Sequence, residues 1–407
     1  MSPNILTFGC RLNTFESEII RGHAAGLDDT IVVNTCAVTA EAERQARQAI
    51  RRAHREHPDA RIVVTGCAAQ IAPEKWVGLP GVARVLGNAE KLLPQSWAPD
   101  APSAVTDIMT AAATAPQLVT DFGGRARAFV QVQQGCDHRC TFCVIPFGRG
   151  RNRSVPLGAV AEQVRTLVAG GWREVVLTGV DIASYGADLP GRPSLGQAVR
   201  RLLALVPELA RLRLSSIDPA AIDDDFWRLL AEEPRLMPHL HLSVQAGADL
   251  ILKRMRRRHL RADILAVIAR ARALRPGIAI GADLIAGFPT ETEALFADTL
   301  ALVEETEIPF LHVFPYSERP GTPAARMPAV PTALRRERAA RLRAAGRANA
   351  ARFFAQQVGR LASVLAETPA GGHSEHFVPV LVPATPGALL RVRVTAANDD
   401  GLLAEPA

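Results

Sequence analysis

Three cysteines fall within the nine residues "GCDHRCTFC" (135–143), at Cys136, Cys140 and Cys143, spaced C-x3-C-x2-C. Thiolates are ligands for soft metals and for iron–sulfur clusters. A closed zinc site takes four protein ligands and a disulfide takes two, so a set of three leaves a metal position open. In a cubane cluster that open position is one iron, free to chelate a small molecule through amino and carboxylate groups. The alternative is zinc closed by His138. That residue lies inside the loop, between Cys136 and Cys140, where completing a tetrahedron on the same metal strains the chain. Gly135 permits the tight backbone approach that such a loop needs.

The other three of the six cysteines are far apart in sequence. Cys10 follows "NILTFG", Cys36 follows "TIVVNT" and Cys67 follows "RIVVTG". Each β-branched run reads as a strand, and amphipathic stretches follow, notably from Thr39 to about His57. This alternation predicts a mostly parallel sheet with packed helices. Each cysteine then sits just past the carboxyl end of a strand, the edge of an open α/β sheet where ligands bind. The bland alternative is a merely buried cysteine set. An even cysteine count also suits a disulfide framework. The start "MSPNILTFGC", however, lacks the basic and apolar regions of a signal peptide, and no apolar run approaches a membrane span. A cytoplasmic protein with reduced cysteines and no membrane contact is expected.

Beyond a linker at 96–124, rich in Ala, Pro and Thr, the alternation resumes. Strands are predicted at 128–134, 173–179, 211–216, 239–245, 278–287 and 309–316. Helices are predicted at about 157–169, 195–206, 221–232, 247–257, 261–274 and 291–306. Six βα units fit a parallel barrel short of closure, with catalytic groups at the strands' C-terminal ends. The cysteine loop follows the first of these strands and belongs on that face. From about Phe353 the pattern changes to short strands broken by Gly and Pro, as in a small β-barrel. The expected architecture is therefore α/β: an open parallel α/β domain (1–95), the linker, a partial (βα)6 parallel barrel (125–350) and a small C-terminal β-barrel (353–407).

At 407 residues, 48% hydrophobic and 22% charged, the chain is neither disordered nor fibrous and has room for several domains. Its net charge of +6 is gathered in arginine-rich stretches at 44–56, 148–153, 253–261 and 335–352. Taken together these point to a polyanionic partner, although any one reads equally as a solvated helix face. The C-terminal segment is not basic: from Phe353 onward it carries three Arg and no Lys against five Asp or Glu.

The three-cysteine loop after the first strand of an incomplete barrel resembles the radical S-adenosylmethionine enzymes. "TFGCRLNTFESE", "NTCAVTAEAERQARQ", "VTGCAAQ" and "QQGCDHRCTFCVIPFGRGRNRS" narrow the resemblance to its methylthiotransferase branch. "REVVLTGVDIASYG", "LMPHLHLSVQAGADLILKRMRRRH", "GADLIAGFPTETE" and "LHVFPYSERPGTPAARMP" are similar to the subgroup acting on threonylcarbamoyladenosine in tRNA. The resemblance covers essentially the whole chain, the last segment being similar to the TRAM RNA-binding module. It implies two 4Fe-4S clusters, one on Cys136, Cys140 and Cys143, the other, which carries sulfur, on Cys10, Cys36 and Cys67. It implies S-adenosyl-L-methionine as cofactor, two molecules per turnover, one giving methyl and one a 5'-deoxyadenosyl radical. The reaction implied is methylthio transfer to C2 of threonylcarbamoyladenosine beside the anticodon. The implied partners are that tRNA, an electron donor of flavodoxin or ferredoxin type, and a sulfur donor.

On that resemblance Phe142 packs near the adenine of the cofactor, while Gly179 and Asp181 at the end of the second strand take its amino or ribose groups. Ser243 and Gln245 at the end of the fourth strand point to the same face, with Asp283 lining the site or capping nearby. Arg256 is the candidate for the methionine carboxylate, and the basic helices with "GRGRNRS" are the candidates for tRNA. Three other readings stay open: the same chemistry on isopentenyladenosine or on a ribosomal-protein aspartate, a non-catalytic iron–sulfur RNA-binding protein, and a zinc RNA-binding protein.

Overall fold

A computed structural model describes residues 3–114 and 117–407. Ala115 and Pro116 of the expected linker, and the first two residues of the opening stretch, lie outside it. Strands β1 (Asn4–Thr7), β2 (Thr30–Thr35), β3 (Arg61–Gly66) and β4 (Val82–Val85) form a parallel sheet in sequential order. Its central strands read as unbroken apolar runs because both faces are covered. Ile31, Val33, Ile62 and Val64 pack against Ala46, Ile50 and Ala53 of the helix Ala40–Glu56. Val32 and Val63 pack on the other face against Ile20 of the helix Arg11–His23. The longer helix begins where Thr39 accepts the Ala42 N–H at 3.1 Å, satisfying one of the free amides of its first turn. The strand β4 was not expected; "VARV" is too short to show a period.

The second unit opens with β5 (Arg127–Gln131), a two-residue antiparallel pair β6 (Gln133–Gln134) and β7 (Arg153–Ser154), and then β8 (Glu174–Thr178) and β9 (Arg211–Leu214). It continues with β10 (His239–Gln245), β11 (Ala279–Ala286) and β12 (Phe310–Pro315). The six longer strands are parallel, in sheets β5-β8-β9 and β10-β11-β12. Single bridges, Leu212 to Leu236 and Ile217 to Leu242, join the sheets into the expected partial barrel. Helices Leu157–Ala169, Leu195–Leu205, Asp224–Glu232, Arg261–Leu274 and Glu293–Thr306 cover its outside. The 24-residue helix Thr332–Ala355 covers β12, where Arg343 donates to the Val313 carbonyl at 2.8 Å.

The segment expected as a linker is packed against the protein. Trp97, Ile108, Val119 and Phe122 are buried, and Phe122 meets Phe15, Phe129 and Trp172 at ring separations of 6.5, 6.1 and 5.4 Å. Phe15 belongs to the first helix, so this aromatic cluster docks the N-terminal sheet on the barrel beside β5.

The chain ends in a closed five-stranded barrel of β13 (Leu361–Thr368), β14 (Gly371–Ser374), β15 (Pro379–Leu381), β16 (Leu389–Asn398) and β17 (Gly401–Pro406). It is fastened to the N-terminal ends of the large barrel's strands. Arg213 donates to the Ser374 and Glu375 carbonyls at 2.7 and 2.9 Å, Arg211 to the Ser363 carbonyl at 3.0 Å, and Arg127 pairs with Glu367. The guanidinium carbons of Arg127 and Arg213 lie 4.8 and 5.1 Å from the Phe377 ring. Among the described residues no helix is long and apolar enough to cross a membrane.

Candidate functional site

The β6–β7 pair closes the base of the cysteine loop. Gly135 sits there with φ of +71°, and a Cβ would lie 1.8 Å from the Arg151 carbonyl oxygen, so only glycine serves. Gln133, fully buried, binds the loop to the neighbouring strand end. Its amide donates to the carbonyls of Gln134 and Gly135 and to Asn152, while its oxygen accepts the N–H groups of Val180 and Asp181 at 2.9 and 2.8 Å. Asp181 is thereby brought to 4.0 Å from Cys136 Sγ. His138 Nε2 lies 3.1 Å from Asp181 Oδ2, turned to this carboxylate. Burial works against the Asp181 charge, but His138 and Ser184 hold its carboxyl below the usual range.

Strand β10 shows how the barrel lumen is built. In "HLHLSVQ" successive side chains alternate, so Leu240, Leu242 and Val244 enter the core under the helices. His239, His241, Ser243 and Gln245 share the opposite face. A register shift after Leu242 and a φ of +71° at Gln245 re-aim the strand end. Ser243 exchanges a 2.7 Å hydrogen bond with Ser216, which donates to Asp283 Oδ2 at 3.1 Å. The other oxygen of Asp283 lies 3.1 Å from His241 Nε2 and 3.3 Å from His312 Nδ1.

The N-terminal cysteines face this barrel mouth. Cys10, Cys36 and Cys67 all line one cavity of about 420 Å³ with Phe142, Gly179, Ser216, Ser243, Gln245 and Asp283. That volume suits a nucleoside-sized ligand. Gly9, at φ of +99°, lets Cys36 approach: a Cβ on residue 9 would stand 2.7 Å from Cys36 Cβ and 2.8 Å from its Sγ. Gly9→Ala is therefore expected to displace Cys36 and lower the iron bound after anaerobic reconstitution to that of one cluster, measured by iron and sulfide analysis.

All six cysteines are free. Burial, then the neighbouring Cys67, pushes the Cys36 thiol up to about 12; burial, then the Asp181 charge, pushes Cys136 up to about 12; burial pushes Cys143 up to about 11. Nucleophilic cysteines are tuned in the opposite direction, and thiols that serve as metal ligands lose their protons only as the metal binds. Cys10, Cys36 and Cys67 line the cavity, and the loop carrying the other three thiols contributes Phe142 to it; two such sets of three fit clusters that each keep one iron free.

Arg149 joins the two sets. It ends the short helix that follows Cys143, is 1% exposed, and donates from Nε to Cys67 Sγ at 3.0 Å. Its Nη atoms pair with Glu16 and with Asn13, and Glu16 also accepts from Lys91 at 2.6 Å and from Gln134 at 2.9 Å. Glu16 and Lys91 are fully buried. Arg153 is also buried, holding the Arg149 carbonyl at 2.9 Å. The expectation that "GRGRNRS" meets nucleic acid is thus corrected for these two side chains, which are spent inside.

Of the expected site residues, Phe142, Gly179, Ser243 and Gln245 line the cavity and Asp181 stands behind the cysteine loop. Arg256 is exposed, in a left-handed conformation that ends the helix Asp249–Met255. Its neighbour Arg257 is the one that turns inward, 3.6 Å from Cys140 Sγ and bonded to the Ser243 carbonyl at 2.9 Å. Sequence reasoning passed over Gln133, Ser216, His241 and His312, and gave Arg149 to nucleic acid. The alternating polar residues of "HLHLSVQ" were the available signal for His241.

A three-cysteine loop at the C-terminal edge of a six-stranded partial parallel barrel defines the class as radical S-adenosylmethionine enzymes. Residues 130–303 match the Radical SAM superfamily, and residues 3–87 match the Uncharacterized protein family UPF0004. A solved radical S-adenosylmethionine methyltransferase, TsrM from Kitasatospora setae, shares the fold at a TM-score of 0.55 and 17% identity, over 77% of this chain and 69% of that one. The chain is 53% identical to the threonylcarbamoyladenosine tRNA methylthiotransferase MtaB of Rickettsia prowazekii (strain Madrid E), over 93% of this chain and 91% of that protein. It is 35% identical to the protein of the same name from Thermotoga maritima, over 98% and 95%. It is also 37% identical to the tRNA-2-methylthio-N(6)-dimethylallyladenosine synthase of Novosphingobium aromaticivorans, over 89% and 86%. The chain belongs to the MtaB-type family of radical S-adenosylmethionine methylthiotransferases. It is an enzyme, which removes the non-catalytic iron–sulfur reading, and its family brings S-adenosylmethionine and a 4Fe-4S cluster.

Proposed function

We propose that this enzyme adds a methylthio group to C2 of N6-threonylcarbamoyladenosine beside the anticodon of tRNA, with two 4Fe-4S clusters. The observation that carries the reading is the convergence of Cys10, Cys36 and Cys67 on the same cavity as Phe142, Gly179, Ser243 and Gln245. Cys136, Cys140 and Cys143 would hold the cluster that binds S-adenosylmethionine; Cys10, Cys36 and Cys67 would hold the sulfur-carrying one. Together these cofactors supply the one-electron hydrogen abstraction that an unreactive aryl C–H requires. The chain's own part is placement. Gln133 keeps the cysteine loop against the Gly179–Asp181 turn, Phe142 offers an apolar wall, and Arg257 lies beside Cys140 for an anionic group.

The polar lumen supports the threonylcarbamoyl substrate over the isopentenyl one. Asp283, Ser216 and Ser243, already bonded to one another, keep further lone pairs for hydroxyl and amide groups, which an aliphatic substituent would leave unused. For the tRNA body the basic helices supply less than their composition promises. In the helix Thr332–Ala355, Arg335, Arg338 and Arg343 are bound to carbonyls and carboxylates of the barrel. Arg336 and Arg347, about three turns apart and so on one face, remain exposed. The small C-terminal barrel is the candidate RNA-binding module. A flavodoxin- or ferredoxin-type electron donor, a sulfur donor and a cytoplasmic location complete the reading.

Nucleoside mass spectrometry of tRNA from cells lacking the gene, and from cells with it restored, tests this. The 2-methylthio derivative of threonylcarbamoyladenosine is expected to vanish and return. If it is unchanged while the 2-methylthio derivative of isopentenyladenosine disappears, the substrate is the latter.

A further inference from the structure

Arg11 follows Cys10 directly and opens the helix Arg11–His23, which lies against β5 at the open side of the barrel. Its guanidinium carbon lies 5.9 Å from the ring of Phe377, whose module closes the opposite end of the barrel. The side chain therefore runs from the rim of the cysteine cavity down into the lumen. It is half-buried, yet makes no ion pair or side-chain hydrogen bond among the described residues. Every charged group around it is already engaged. Arg127 is paired with Glu174 and Glu367, Glu174 also holds Arg213, and Asp283 sits between His241 and His312.

A partly desolvated guanidinium that has only the Phe377 ring beside it and no anionic partner among the described residues is a site for a planar anion. On the substrate proposed above, adenine C2 must lie among the six cysteines. The N6 substituent leaves the ring two bonds further round and projects away from that edge, toward the lumen. Its carbamoyl and hydroxyl groups meet Ser216, Ser243 and Asp283, and its terminus is a carboxylate.

We propose that Arg11 binds the threonyl carboxylate of the substrate and is the residue by which this enzyme selects an anionic N6 substituent over a neutral one. The inference rests on the substrate reading above. It assigns to one side chain both closeness to the N-terminal cysteine set and recognition of the far end of the nucleoside.

The test uses the reconstituted enzyme and two anticodon stem-loop RNAs, one carrying threonylcarbamoyladenosine and one carrying its neutral methyl amide. The wild type is expected to lose about 10- to 100-fold in kcat/KM on the amide, the range for one charge-assisted hydrogen-bonded contact. Arg11→Gln should lose a similar factor on the acid and show no further loss on the amide, while Arg11→Lys keeps a preference for the acid. Equilibrium binding of both stem-loops, followed by fluorescence anisotropy, should show the same pattern. Iron content reports whether Cys10 stays in place in each variant. Equal use of acid and amide by the wild type overturns the role of Arg11, as does an Arg11→Gln enzyme that still discriminates. Turnover of neither RNA by the wild type sinks the substrate reading and this inference with it.

Discussion

Cys36→Ala is expected to abolish methylthio transfer while leaving reductive cleavage of S-adenosylmethionine at the barrel loop. Cys36 suits this experiment better than Cys67. Its sulfur, buried at the end of β2, receives only the Val38 N–H at 3.5 Å, whereas Cys67 also holds Arg149. Replacing Cys67 would leave a buried guanidinium donor unpaired and disturb the helix that follows Cys143. Replacing Cys36 removes one sulfur from a packed site, a change of about 1–2 kcal/mol that a chain this size tolerates. The iron content should fall to that of one cluster, and 5'-deoxyadenosine should still form under anaerobic reduction. Cys143→Ala, by contrast, should remove both activities. If Cys36→Ala also stops cofactor cleavage, the two cysteine sets do not divide the work as proposed. If it still transfers the methylthio group, the N-terminal set is not needed.

The parts of this site that were legible in the sequence are those set by local pattern. The helices Leu157–Ala169 and Arg261–Leu274 begin and end where their periodicity does. The cysteines stand at strand ends because β-branched runs stop just before them. Arginine was the residue type hardest to read. In "GRGRNR" Arg149 looks like any surface cation, and its burial depends on Glu16, far away in sequence, being carried to it by a different sheet. In "KRMRRRH" the choice between Arg256 and Arg257 turns on a single left-handed residue at the helix end, which sends one side chain out and the next one in. The segment at 96–124 has the composition of a connector, but its few large apolar residues are enough to bind it down once a second surface is present. In each case the missing information was the partner surface.

Glu16→Gln is expected to be the most destabilising single change to the junction of the N-terminal sheet with the barrel. Glu16, Lys91 and Arg149 form a buried charged trio in which one carboxylate answers two cations. Removing it leaves two buried positive charges without compensation, a loss of about 3–5 kcal/mol. Lys91→Met should cost much less, because the two-pronged contact of Arg149 with Glu16 survives and an apolar chain of similar length fills the space. The pH dependence separates this account from simple loss of packing. Burial opposes the Glu16 charge, but Arg149 and Lys91 together hold its carboxyl down to about 2, against an ordinary value of 4.5. A carboxyl depressed on folding contributes stability that is complete above its unfolded value and disappears as pH falls through its folded one. The gap between wild type and Glu16→Gln should accordingly be widest above about pH 5 and shrink steadily below about pH 4.5. Apparent melting midpoints across this range, with hydrogen exchange in the Arg11–His23 helix, measure it. A gap that stays constant into acid would assign the effect to shape and hydrogen bonding, not to the charge of Glu16.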